Sequence, residues 1–419
     1  MFDFNAFSGP LFPGFLQGIV FAIILFLRAR REERISDVFA GLLLLAGSLF
    51  VAQWMLGFAG WYDGRDWRTT VMFYVEWKNL LAFGPLIWLY FRSLTNTDFR
   101  WEGRYWWHFL PLTLLLLPAV GIFLYDFGYY RLLKGEVFGY FSGTRGPAAE
   151  WDNSGGSVVS DVIYVLSAVH LMAYLFWTLR DYRKYRAYLE REFSNAEQLT
   201  FASLRFTLWL MLIGALLVIV LDVANIFFSQ TYADSWDSFF VMSVFTFFAA
   251  VQFLAIDPRR TRALRFEPNQ EIEPVKELKE EQASVTTPDD RAELESWAAK
   301  LESRLSTHED HLNPDLKLGE LAQAIKTNGS VLSRVINQVY GKNFNDYINA
   351  RRCDAFVARI RAGDHERHTL LSIALDCGFN SKSTFNRAFK KATGKSPGSA
   401  VKEMEGAREV PVTITATPE

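Results

Sequence analysis

The chain has 419 residues, half of them apolar, with 37 Phe and 13 Trp and a formal net charge of −2. That length suits two or three domains, and the apolar, aromatic-rich balance fits a membrane protein better than a soluble one. Two cysteines, Cys353 and Cys377, provide no disulfide framework and no zinc ligand set, which points to a reducing compartment for the part that holds them.

Seven apolar runs follow one another: Leu11–Leu27, Asp37–Gly60, Thr70–Leu94, Tyr105–Tyr125, Ser157–Leu179, Ser203–Phe228 and Trp236–Ile256. Each is near the ~20 residues that a helix needs to cross a bilayer. The first has no basic residues before it and no small-residue cleavage site after it, so it reads as a span and not as a cleaved signal.

Arg28, Arg30, Arg31 and Arg34 follow the first run, Arg100 and Arg104 the third, Arg180, Arg183, Lys184, Arg186 and Arg191 the fifth, and Arg259, Arg260, Arg262 and Arg265 the seventh. The opposite loops hold fewer bases. This bias predicts an N-terminus outside and a C-terminus in the cytoplasm. Trp61, Trp67, Trp101, Trp106 and Trp107 stand at span ends, where aromatics anchor at the interface. The outer loop from Asp126 to Gly156 reads either as a cap over an outward pocket or as a solvated connector.

Ionisable groups at bilayer depth are costly and face a cavity or a partner. Glu76 and Lys78, Asp161 and His170, and Asp222 and Asn225 stand within the spans. Asp222 and Asn225 share one helix face. Asp222, Asn225, His170 and Glu76 form the predicted sensing pocket, for a small molecule or a membrane signal. The competing reading is interhelical hydrogen bonding that only holds the bundle, and for His170 plain packing.

From Phe266 to Glu295 acids outnumber bases and Pro268, Pro274 and Pro288 interrupt any helix, the composition of an acidic tether. Beyond it, Leu294, Trp297, Ala298, Leu301 and Leu305 recur at helical spacing and predict a helix packed on the following domain. His308 and His311 have no third ligand in view and read as surface residues, not as a metal site.

The C-terminal stretch holds one pattern twice. Leu321-Ala322-Gln323-Ala324-Ile325, a polar turn and Val331-Leu332-Ser333-Arg334-Val335-Ile336 form the first copy. Ile373-Ala374-Leu375-Asp376-Cys377-Gly378-Phe379, a polar turn and Thr384-Phe385-Asn386-Arg387-Ala388-Phe389-Lys390-Lys391 form the second. Each second helix opens on an N-capping residue, Asn328 or Ser381. Phe344 to Ala355 reads as a linking helix. Two such units in tandem have the layout of paired helix-turn-helix motifs.

The stretch resembles the AraC/XylS DNA-binding domain, most specifically in Ile373-Ala374, Gly378-Phe379, Phe385, Arg387, Phe389-Lys390-Lys391, Gly394 and Ser396-Pro397. Ala400-Val401-Lys402 stands where that family shows an aromatic followed by Arg. The resemblance implies that both second helices enter successive major grooves of promoter DNA. Between Lys326 and Lys402 fourteen bases face five acids, an excess of nine, which is the footprint of phosphate binding. Leu332, Ile336, Phe385 and Phe389 are expected to be buried. Ser330, Ser333, Arg334, Lys382, Ser383, Asn386 and Arg387 are expected to be exposed and to face DNA, with Lys390 and Lys391 beside them.

The expected fold is therefore all-α. A seven-helix transmembrane bundle (1–260) leads through an acidic linker (261–290) to an AraC-type domain (291–405) and a disordered tail (406–419). The expected function is a membrane-embedded transcription regulator, with DNA, lipid, a signal and a second copy of the chain as partners and no cofactor. The rivals are a membrane transferase or protease with a DNA-binding tail, and a DNA-binding domain on a passive anchor. The spans hold no metal motif, nucleophile elbow or Gly-rich phosphate loop.

Overall fold

Apolar runs of this length close their backbone hydrogen bonds internally as helices, and among the described residues helices are what they form. A computed structural model describes residues 3–64, 66–68, 74–75, 79–136, 146–149, 156–196, 202–228, 236–256, 264, 266 and 288–408. Among these no strand occurs; an isolated backbone bridge joins Phe193 and Lys317. Contacts divide the chain into two compact units, Met1–Tyr182 with Phe201–Glu267, and Arg183–Thr200 with Pro268–Glu419.

The first unit contains α1 (Ser8–Glu32), α2 (Ile35–Phe58), α3 (Leu80–Thr95), α4 (Leu110–Phe123), α6 (Ala202–Phe228) and α7 (Trp236–Ala255). It also holds most of α5 (Gly156–Glu192), whose last residues, from Arg183, belong to the second unit. Small residues let α1, α2 and α7 approach closely, as they do where packing and not water drives association. A Cβ on Gly14 would lie 1.6 Å from Ser243 Oγ, and one on Gly18 would lie 2.0 Å from Ser48 Oγ. At one end Arg28 donates to Asp37 at 2.6 and 2.8 Å and to the carbonyls of Phe253 and Leu254 at 2.9 and 3.2 Å. This basic group therefore closes the α1–α2 hairpin onto the end of α7, leaving no charge of the pair without a partner.

Among the described residues, five helical stretches are long and apolar enough to cross a membrane: Ser8–Glu32, Ile35–Phe58, Gly103–Leu133, Val162–Glu192 and Trp236–Ala255. Two further apolar stretches, Leu80–Thr95 and Arg205–Leu221, are shorter over the residues described. The outward sides of these helices are apolar. Ile23 and Leu27 on α1, Leu114 and Leu117 on α4, Val165 and Val169 on α5, Ile213 and Val220 on α6 and Phe247 on α7 are all exposed. In the loop that begins at Asp126, this buried carboxylate accepts hydrogen bonds from Tyr74 Oη at 2.8 Å and from the amides of Ala148 and Ala149 at 2.9 and 3.1 Å. That carboxylate ties the described start and end of the loop together.

The second unit contains α8 (Pro288–His308), α9 (Leu318–Ala324), α10 (Gly329–Tyr340), α11 (Phe344–Ala362), α12 (Leu370–Asp376), α13 (Lys382–Thr393) and α14 (Pro397–Arg408). The expected lead-in helix is α8. Its Leu294 and Ala298 pack on Val335, and its Leu301 and Leu305 join Leu318, Leu321, Leu332 and Ile336 in one core. A second core gathers Phe356, Ile360, Ile373, Phe379, Phe385 and Phe389. Helix α11 links the two, with Phe344, Tyr347 and Ile348 in the first and Cys353, Phe356 and Ile360 in the second. The acidic tether at 267–287 and the tail beyond residue 408 lie outside the described residues.

Candidate nucleic-acid interface

The two C-terminal copies are held by the same local chemistry. In the first, the Lys326 amide donates to Gln323 O and the Thr327 amide to Ala322 O, at 3.0 and 2.9 Å. In the second, the Gly378 amide donates to Leu375 O and the Phe379 amide to Ala374 O, at 3.0 and 3.1 Å. The small residues Ala322 and Ala374 are buried where the helices cross. Both turns need a left-handed residue. Gly378 takes φ +90° without strain, whereas Lys326 adopts φ +62° in spite of its side chain.

Each longer helix then starts on a side-chain cap. Asn328 Oδ1 accepts from the Val331 amide at 2.9 Å, and Ser381 Oγ accepts from the Thr384 amide at 3.2 Å. Such caps satisfy amides that the helix itself leaves open. The apolar faces point inward as expected, with Leu332, Ile336, Phe385 and Phe389 buried.

The opposite faces present most of the predicted contacts. Ser330 and Arg334 on α10, and Lys382, Ser383, Asn386, Arg387, Lys390 and Lys391 on α13, are exposed. Ser333 is a correction: it is buried, on the inner side of α10, with its Oγ 3.5 Å from Asn337 Nδ2. Its place beside Leu332 turns it toward the core, so it is a packing position. Lys391 is exposed yet paired, its Nζ lying 2.6 Å from the Asp346 carboxylate on α11. Among the other bases of this unit, Arg359 bridges Asp364 and Asp376 at 2.5 and 3.0 Å, and Arg351 pairs with Glu302. The charge excess is thus partly spent on internal pairs, whereas the exposed Arg334, Lys382 and Lys390 form no ion pair among the described residues. The Arg387 guanidinium is held below its ordinary range, first by loss of solvent and further by Arg186, while Glu190 opposes the shift.

Arg352, which the sequence offers only as one base among many, is the largest fully buried side chain of the domain. Its Nε donates to His311 O at 2.8 Å, and its Nη atoms donate to Asn313 O at 2.7 Å and Asn349 Oδ1 at 3.1 Å. Burial pushes its pKa down to about 10, so it remains charged at neutral pH. His311, expected on the surface, is half-buried because its carbonyl serves this guanidinium. Cys353 and Cys377 are free and buried; burial raises both thiols, Cys353 to about 12, which makes them unreactive.

Of the predicted sensing residues, only His170 has a described side chain. Glu76 and Lys78 lie outside the described residues, as do the side chains of Asp161, Asp222 and Asn225. His170 is partly buried, its ring 4.8 Å from that of Tyr174, whose hydroxyl lies 2.6 Å from His108 Nδ1. The first unit does contain a cavity of about 80 Å³, but its lining is apolar, including Leu44, Phe83, Leu171, Val218 and Phe245, and omits His170. No group of three His, Cys, Asp or Glu placed to hold a metal occurs among the described residues.

Residues 321–403 match the family model of a helix-turn-helix domain. The match supports an AraC-type DNA-binding domain in that stretch and, for the chain, a DNA-binding transcription regulator, a class that is typically not enzymatic. Neither a curated protein nor a solved structure matches the chain.

Proposed function

We propose that this chain is an integral membrane transcription regulator that binds promoter DNA through two helix-turn-helix motifs, α9–α10 and α12–α13. The observation that carries this reading is the pair of identically bonded and capped turns, each followed by a helix with an exposed polar or basic face, in the stretch that matches the DNA-binding family. The first unit supports the membrane part. Helices of bilayer length that leave whole apolar sides exposed need lipid or protein to cover them. The loop bias of Lys and Arg puts the DNA-binding domain in the cytoplasm, where DNA is.

In this reading Ser330, Arg334, Lys382, Ser383, Asn386, Arg387 and Lys390 face DNA, one helix per major groove, about 34 Å apart. A signal reaches the domain by changing its dimerisation or its presentation, in proportion to the signal's differential affinity for the two states. Asp222 with Asn225 is the polar pair that the sensor role rests on.

The test is to crosslink the full-length protein to DNA in intact cells, after showing that it sediments with membranes. Enrichment at a few discrete sites is expected. Flat coverage, or a protein recovered in the soluble fraction, refutes the proposal. Loss of signal response in Asp222→Asn, with protein level and DNA binding kept, separates a sensor from a passive anchor.

A further inference from the structure

The second compact unit is discontinuous in sequence: Arg183–Thr200, which precedes α6 and α7, belongs to it together with Pro268–Glu419. The seat of the earlier piece is polar and specific. Phe193 pairs with Lys317 as an isolated backbone bridge. Every polar group of Ser194 then meets the domain. Its amide donates to Leu316 O at 3.2 Å, and its hydroxyl donates to Pro314 O at 3.4 Å and accepts from Arg352 Nη2 at 3.0 Å. Its carbonyl accepts from Asn345 Nδ2 at 2.8 Å and from Arg352 Nη1 at 3.3 Å. Asn345 Nδ2 also donates to Phe193 O at 3.3 Å, and at the rim Asn195 Nδ2 donates to Asp315 Oδ1 at 3.0 Å.

The donors of the domain match this segment in number. A guanidinium carries five N–H groups and a side-chain amide two. Arg352 places three on His311 O, Asn313 O and Asn349 Oδ1, all within the domain, and the other two on Ser194. Asn345 Nδ2 makes both of its bonds with the segment, to Phe193 O and Ser194 O. Phe193, Ser194, Asn345 and Arg352 are all buried. The domain by itself therefore leaves four donors to be met, two of them on a buried cation, and a buried donor without a partner is costly. The main chain and hydroxyl of residues 193–194 meet all four.

We infer that Asn345, Arg352 and the 314–317 stretch form a binding site for one partner, residues 193–195 of the same chain, and that this site keeps the domain attached when the tether at 267–287 is cut. The domain then has two attachments, one covalent through the tether and one through the seat, since residues 193–195 continue directly from α5. For the membrane regulator proposed above, proteolysis in the tether alone does not release a soluble DNA-binding fragment; the seat has to be emptied as well. Neither DNA nor a bilayer takes part in the seat, so its test is independent of that proposal.

The experiment uses the full-length chain in mild detergent, tagged at both ends, with a protease site between flexible spacers inserted after Glu280. The tether is cut until a denaturing gel shows no intact chain. The N-terminal part is then held on a resin, and loss of the C-terminal fragment is followed under native conditions. Retention is expected. Loss should be about tenfold faster or more in Ser194→Trp, which is too large for its buried site, and in Asn345→Asp, which sets an oxygen against two carbonyls in place of a donor. Cys353 and Cys377, both buried, should stay protected from a thiol reagent in the lost fragment, which marks it as folded. Immediate loss from the unsubstituted protein would overturn the inference. Equal retention in all three proteins would overturn the seat, because other contacts would then hold the domain. Loss only of fragments with both thiols exposed would overturn it too, since unfolding and not an emptied seat would free the domain.

Discussion

Gly378→Ala tests how the second turn is closed. Gly378 has φ +90°, and a Cβ built there lies 2.7 Å from Leu312 O, 2.9 Å from His311 O and 2.9 Å from Arg352 Nε. Two of those atoms are backbone, and the third belongs to a side chain fixed by its other bonds, so none can swing aside. The left-handed conformation costs a side chain about 1–2 kcal/mol, and forcing an extra methyl into a packed site about 1–3 kcal/mol more. The expected loss is therefore about 2–5 kcal/mol. Gly341→Ala is the control. Its φ is +63°, but nothing lies within 4 Å of the added Cβ, so only the conformational cost applies. Both cysteines of the chain are buried in this unit, so thiol labelling across a urea series reads its unfolding alone, in the intact protein. Gly378→Ala should expose Cys353 and Cys377 at clearly lower urea than Gly341→Ala. If the two variants label alike, the turn is not closed by the carbonyls of residues 311 and 312.

Asn328→Ala and Ser381→Ala should each destabilise the same unit by about 1 kcal/mol by uncapping α10 and α13. The caps share no partner, so the double variant should show their sum in the same labelling assay. Arg387→Ala should weaken binding of a selected duplex by ~1–3 kcal/mol and relax sequence preference if it reads a base. A uniform loss on all sequences, with a shallower salt dependence, would make it a phosphate contact. His311 should give the unit an acid-sensitive stability. Burial lowers its folded pKa below the ordinary value, so the unfolded chain takes up the proton first. Stability should fall as pH drops through about 6.5, the ordinary histidine value, and be kept above it. His311→Gln should flatten that slope between about pH 7.5 and 5.5, and an unchanged slope would clear His311 of the effect.

Much of the second unit was legible because its signals are local. The caps at Asn328 and Ser381, the glycine at 378 and the alternation of Leu332, Ile336, Phe385 and Phe389 with polar residues each act within a turn or two of chain. Ser333 was misread for the same reason. Its neighbours in sequence suggest a reading face, but the burial of a helix position depends on which way the whole face packs. In the first unit, Gly14 and Gly18 carried a readable signal, small residues four apart in an apolar run, that points to close helix packing. The cavity was not legible, since its lining residues come from five separate stretches of chain and are mostly ordinary apolar types.

By itself, then, the sequence determined that the chain is helical, that its first part is too apolar for water and that its end carries a DNA-binding pattern. Composition and short-range periodicity settle those matters, because they fix which backbone groups and which faces can be satisfied. Only the tertiary structure decided that Arg352 and Asn345 are committed to Ser194, across 158 and 151 residues. An arginine in a basic stretch looks like any other until the path of the chain brings carbonyls around it. Hydrogen bonds are short-range and directional, so such a partnership is set by where the backbone arrives and leaves no mark in local sequence.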